Sequence, residues 1–164
     1  MNTRQQKKNK GFTLLAAIVT TSLLLIVSFV VVNVAFKQLA LSFSNEESQY
    51  AFFAAESGIE CALYWDLNGD TSQFATSTAG SITCNGQLIE TGQSVPTTPS
   101  QSSLVGGGGS ANPTSIFSVA LTRGCAIVRV TKEDDGGTKI DSRGYNNCTV
   151  GAKRKVERGV ELSY

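Results

Sequence analysis

FTLLAAIVTTSLLLIVSFVVVNVAF, the run from Phe12 to Phe36, contains no charged residue, no glycine and no proline. A helix of roughly 25 such residues is long enough to cross the hydrocarbon core of a bilayer. A cleavable secretory signal has a shorter apolar region of about 7–15 residues followed by a small-residue cleavage site, and Asn33-Val34-Ala35 makes a poor one. The core helix of a soluble domain is polar on one face, which this run is not.

Working outward, the flanks give an orientation. Arg4, Lys7, Lys8 and Lys10 precede the run with no acidic residue among them, whereas Lys37, Glu46 and Glu47 follow it. The positive-inside rule then puts the N-terminus in the cytoplasm and the chain beyond about residue 37 outside. Cys61, Cys84, Cys125 and Cys148 all fall on the outer side, where disulfides persist. The formal net charge of +1 gives no bulk electrostatic argument for a nucleic-acid partner.

The helical pattern continues past the membrane run. Leu39, Phe43, Glu47, Tyr50, Ala54, Cys61 and Tyr64 recur at three-four spacing, with the small residues Ala51, Ala55 and Gly58 close to the same face, where they would let a sheet approach. Asn68-Gly69 reads as the stop. From Thr71 to Ser115 the composition turns to Ser, Thr, Gly, Gln and Pro. Short strands at 81–84 and 87–89 interrupt it, and Pro96, Pro99 and the tract Gly106 to Gly109 read as flexible loop. The tract lacks a following Lys-Ser or Lys-Thr and is no phosphate-binding loop.

The last fifty residues alternate as strands: 116–121, then a face of Ala126, Val128 and Val130, then 138–145. Glu133-Asp134-Asp135-Gly136-Gly137 is the hairpin turn before the third of these, and in the final strand Val156, Val160, Leu162 and Tyr164 oppose Glu157 and Glu161. Short connections make the sheet antiparallel. The expected fold is α+β, a long N-terminal helix packed on a C-terminal antiparallel sheet. Its segments are a basic leader at 1–11, an assembly or membrane helix at 12–36, an amphipathic helix at 37–68, and an extracytoplasmic β head at 69–164 with a Ser/Thr/Gly-rich loop at 91–115.

Lys10-Gly11-Phe12-Thr13-Leu14 sits where the basic leader meets the apolar helix. The segment resembles the class III signal of type IV pilins and type II secretion pseudopilins. The stretch Ala51-Phe52-Phe53-Ala54-Ala55-Glu56-Ser57-Gly58 is similar to the one after the membrane helix in PilX-type minor pilins. The resemblance implies cleavage between Gly11 and Phe12 by a prepilin peptidase, methylation of the new Phe12 terminus, and partners that are the membrane, that peptidase and other pilin subunits. Family members usually carry Glu at the fifth mature position, here Ala16, where it is thought to neutralise a neighbour's terminal amine. The K-type pseudopilin, a tip component, also lacks it. The expectation is a minor, tip-proximal or priming subunit of an extracellular fibre, first held in the inner membrane and then at the cell surface.

Other chemistries find little support. The chain has no His, which removes His-based triads and His-ligated zinc. The cysteines are each more than twenty residues apart, unlike paired zinc ligands. As disulfides they allow three connectivities. The hairpin places Cys125 near Cys148, which would leave Cys61 to reach Cys84. Asp66, Asn68 and Asp70 alternate like the start of a calcium loop, but the glycine is misplaced and no Glu closes the loop. Asp134, Asp135 and Asp141 are a second weak cation candidate. Lys153, Arg154, Lys155 and Arg158 form a basic cluster that reads first as solvated strand and turn, with DNA or an anionic surface as the sharper alternative. Tyr64 and Trp65 read as packing residues. No cofactor and no catalytic site is expected. Two rival readings remain: a single-pass membrane anchor whose outer domain binds a partner without polymerising, and an anchored cell-wall enzyme, for which the acidic residues are too scattered.

Overall fold

The computed structural model describes residues 10–96, 101–111 and 113–164, so Arg4, Lys7, Lys8 and Pro99 lie outside the described residues. One helix, α1 (Lys10–Leu67), is followed by six strands: β1 (Ser81–Cys84), β2 (Gln87–Glu90), β3 (Thr114–Ala120), β4 (Cys125–Lys132), β5 (Thr138–Tyr145) and β6 (Glu157–Ser163). The chain divides into two compact units, residues 1–44 and residues 45–164.

In the first unit every residue from Gly11 to Ser44 is exposed. The few polar side chains in the apolar run bond back to their own helix. Thr20 and Thr21 donate to the Ala16, Ala17 and Ile18 carbonyls, Ser28 to that of Leu24 (2.8 Å), and Asn33 to that of Phe29 (2.9 Å). These contacts satisfy the hydroxyl and amide groups locally, as a bilayer requires. The surface offered outward is Leu, Ile, Val and Phe. Among the described residues α1 is the one helix long and apolar enough to cross a membrane.

In the second unit, residues 45–67 of α1 pack on a sheet with strand order β3-β4-β5-β6, each pair antiparallel. The register sets Phe117 beside Val128, Val128 beside Ser142 and Ser142 beside Val160. That row, with Val119, Ala126, Val130 and Ile140, forms the buried face. The helix side of the seam is small: Ala51, Ala54, Ala55, Gly58 and Ala62 are buried, with Ile59 beside them. Tyr64, expected on this face, is 57% exposed and stacks edge-on to Trp65 instead. At 100° per residue it projects well away from Ala51, Gly58 and Ala62.

The β1–β2 hairpin turns on Asn85 (φ 50°) and Gly86 (φ 72°), the two positive values that a tight two-residue hairpin demands. Phe74, Ile82, Cys84 and Ile89 bring this part of the chain into the same core, Phe74 stacking on Phe117 at 5.7 Å.

The expectation of a flexible loop at 91–115 is corrected by its described part. Val95, Ser103, Val105 and Ser115 are buried, Val95 and Val105 completely. Gly92 N–H donates to the Ser103 carbonyl and Ser103 N–H to that of Gln93, while Leu104 and Ile116 exchange both backbone bonds at 2.7 Å, covering the β3 edge. The glycine tract is packed too. Gly106, Gly107 and Gly109 take positive φ, and a Cβ at Gly106 would come within 2.7 Å of the Gln73 carbonyl oxygen. These glycines provide close backbone approach and left-handed turns, needs that composition alone does not separate from flexibility.

Candidate functional site

Gly11 and Phe12 lie in the first turn of α1, a turn without acidic residues. A Cβ on Gly11 would meet nothing within 4 Å, so the fold gives no steric reason for glycine there. Phe12 is 75% exposed. Ala16 lies one turn further along, its carbonyl accepting from Thr20 at 3.0 Å. The methyl group leaves no charge on that side of the helix.

The seam between residues 45–67 and the sheet depends on one glycine on each side, Gly58 on the helix and Gly144 on β5. A Cβ on Gly144, in β5, would collide with the Ala51 carbonyl oxygen and the Ala55 amide nitrogen, and would sit 3.0 Å from Ala54 Cβ. One on Gly58 would strike the Ser142 hydroxyl and lie 2.8 Å from Val128 Cγ2. Helix backbone and strand backbone are thus in near-direct contact. The Ser142 hydroxyl opposite Gly58 is buried with no hydrogen-bond partner, an uncompensated polar atom inside the seam.

Where the helix enters the second unit, polar side chains hold it. The Arg123 guanidinium lies 3.8 Å over the Tyr50 ring, donates to the Tyr50 hydroxyl (2.6 Å), and pairs with Glu46 (3.4 Å) and Glu47 (3.8 Å). Asn146 donates to Glu47 at 2.7 Å and Arg158 to the Ser48 hydroxyl at 2.7 Å. Sequence reasoning had no signal for these contacts, whose partners are separated by 73 to 110 residues.

At the other end of the helix, Asp66 is the hub of a polar node. Its carboxylate, 3% exposed, accepts from Lys132 Nζ at 2.5 and 2.8 Å, from the Tyr164 hydroxyl at 2.6 Å and from the Ser72 hydroxyl, while Lys132 also reaches Thr138 Oγ1 at 2.8 Å. Burial pushes the Asp66 carboxyl up, but these three donors and the Lys132 charge outweigh it and hold the group below the usual carboxylate range. Burial, reinforced by the Asp66 bond, drives the Tyr164 hydroxyl strongly upward and keeps it protonated. Asp66 is therefore engaged as an ion-pair partner, and the calcium reading of Asp66, Asn68 and Asp70 is set aside, with Asn68 and Asp70 exposed beside it. Asp134 and Asp135 sit in the β4–β5 turn, whereas Asp141 is on β5 beside Arg143 (3.5 Å). Among the described residues no three His, Cys, Asp or Glu side chains gather as metal ligands.

Two disulfides are present, Cys61–Cys84 and Cys125–Cys148, each with Cα atoms 5.9 Å apart. The first ties α1 to β1; the second ties the start of β4 to the chain beyond β5. Cys125 and Cys148 join Val95, Ile127 and Tyr145 in a second small core. On the side of the helix turned from the sheet, Phe52, Phe53, Tyr64 and Leu67 are exposed, and Glu60, Leu63, Tyr64, Leu67 and Asn68 line an open groove of about 450 Å³. The apolar helix and the disulfides argue for a membrane-anchored chain whose bonded head lies outside the cytoplasm. No protein-family model matches the chain, nor does any curated protein or any solved structure.

Proposed function

We propose that this chain is a minor type IV pilin or pseudopilin, a tip-proximal or assembly-priming subunit of an extracellular fibre, and not an enzyme. The observation that carries the reading is α1 itself. One uninterrupted helix is apolar and exposed on all sides as far as Phe36, and from Ala51 is fitted to a disulfide-bonded antiparallel sheet through alanine and glycine. An anchor alone needs no such continuity, since a flexible linker would serve. A fibre subunit needs it, because the element that packs laterally with other subunits must also carry the head. Phe52, Phe53, Tyr64 and Leu67, exposed on the second unit, give that unit apolar surface of its own for contact with other subunits.

The Gly11–Phe12 bond supplies the processing site in this reading. A glycine for which the fold gives no steric reason is accounted for by a peptidase that demands it. The partners are then that peptidase, the membrane and other pilin subunits. The test is the mass of the mature protein from cells. The wild-type chain is expected to begin at N-methylated Phe12, and Gly11→Val is expected to retain the leader. An intact Met1 in the wild type, or normal maturation of Gly11→Val, would leave the non-polymerising membrane anchor as the better reading.

A further inference from the structure

We infer that the free edge of β6 is a docking site for an extended segment of another protein, one in which apolar residues alternate with Lys or Arg and which joins the sheet as a further strand. The inference concerns the second unit alone and stands whether or not the chain polymerises. The two edges of the four-stranded sheet differ. On β3, Ile116 exchanges both backbone bonds with Leu104, and the Ala120 carbonyl accepts from the Asn85 amide at 2.9 Å. On β6, Thr138 and Tyr164 exchange both backbone bonds, and Asn146 N–H donates to the Val156 carbonyl. Antiparallel alternation then turns the N–H and C=O groups of Arg158, Val160 and Leu162 to β5, and those of Glu157, Gly159, Glu161 and Ser163 outward. Among the described residues nothing bonds to these outward groups. Such an unpaired row is a template for strand addition.

The edge is weakly guarded. β6 contains no proline, and Gly159 leaves its middle without a side chain. Its charged side chains are drawn back onto their own unit: Arg158 to the Ser48 hydroxyl (2.7 Å), Glu157 to Arg143 (3.4 Å) and Glu161 to Lys139 (2.9 Å). The side chains also select the occupant. On the helix side of the sheet Val160 and Leu162 are only half-buried, and apolar residues of an added strand would cover them. On the other side the outermost column is Glu157, Gly159, Glu161 and Ser163, which holds two carboxylates and no cation. Asp141 and Glu161 stand directly opposite one another, so a Lys or Arg placed beside Glu161 on the added strand offsets a like-charge pair. Lys153, Arg154 and Lys155 are exposed just before Glu157, at the other end of the strand, which makes Glu161 the favoured place for that cation.

The experiment uses the full chain in detergent micelles and two synthetic peptides as long as β6, one alternating Lys with Val and the other Glu with Val. Amide hydrogen exchange is read residue by residue. In the free chain the amides of Glu157, Gly159, Glu161 and Ser163 are expected to exchange fast, and those of Arg158, Val160 and Leu162 slowly. The Lys-Val peptide is expected to slow the first set severalfold, whereas the Glu-Val peptide leaves it unchanged. Gly159→Pro removes an outward N–H and no bond to β5, so it is expected to abolish the effect. Glu161→Gln, which leaves the backbone edge intact, is expected to weaken it. Slow exchange of the outward amides in the free chain would overturn the inference, whether the chain itself or a second copy covers them. Absence of protection by the Lys-Val peptide, or equal protection by both peptides, would overturn it as well.

Discussion

Asp66 illustrates how a single residue changes meaning between sequence and structure. In the sequence it begins an acidic, ligand-like pattern; in the fold its carboxylate is covered and bonded to Lys132 and Tyr164, 66 and 98 residues away. Partners at such separations leave no local signature, which is why the node was not legible. The node also sets a pH dependence. The folded carboxyl is held below its ordinary value, so the unfolded chain takes up the proton first as pH falls. The stabilisation is complete above about pH 4 and is lost as pH drops through the lowered folded value. Asp66→Asn is expected to cost about 1–3 kcal/mol at neutral pH by leaving Lys132 without a charge partner. It should also flatten the acid limb of stability, followed through the near-UV signal of Trp65 in detergent-solubilised chain. An unchanged acid limb in the variant would show that other carboxylates govern acid unfolding.

The elements divide into those that periodicity reveals and those that it cannot. Alternation marked β3, β5 and β6 within two residues of their observed ends and the inner face of β4, and Asn68-Gly69 marked the stop of α1 after Leu67. The described part of 91–115 carries no such signal, because its burial rests on isolated side chains, Val95 and Val105, fixed by distant backbone bonds and without a period of their own. Asn85-Gly86 is a hairpin signal that the polar composition around it obscured. The helix–sheet seam predicts the most severe substitution in the head. Gly144→Ala places a methyl group against helix backbone that cannot yield as a side chain could, so a loss of about 3 kcal/mol or more is expected. Gly136→Ala, in the open β4–β5 turn, should cost much less, at about 1 kcal/mol, through its positive φ alone. Comparable melting of the two variants would mean that the helix stands further from β5 than described. The disulfides act between elements too. Each closes a separation of 23 residues, worth about 3 kcal/mol by the chain-entropy estimate. No thiol should react with maleimide in denatured, unreduced protein, and reduction should lower the unfolding midpoint. Reactive thiols before reduction would remove the disulfides from the account.

At the scale of the whole molecule, the question is what an exposed apolar helix without a carboxylate does among its copies. On the pilin reading proposed above, the fifth mature position, where a Glu would meet the terminal amine of a neighbouring subunit, is Ala16. A buried ammonium without a counter-charge is costly, so a shaft built of many copies of this chain would repeat an unpaired charge at every step. A subunit with no neighbour ahead of it avoids that cost. The chain should therefore be scarce in purified fibres relative to the major subunit, and deleting it should reduce fibre number more than fibre length. Ala16→Glu sharpens the test. While the precursor is in the bilayer, the new carboxyl costs roughly 3 kcal/mol. That cost is offset only where an amine of another copy lies beside it, as in a shaft. At the tip there is no such amine, so the variant is expected to be incorporated no better than wild type, or less well, as measured by quantitative immunoblotting of sheared fibres. Enhanced incorporation of Ala16→Glu, or wild-type protein in stoichiometric amounts along the shaft, would exclude the tip position. The terminal amine of Phe12 would then have to be neutralised by a group other than residue 16.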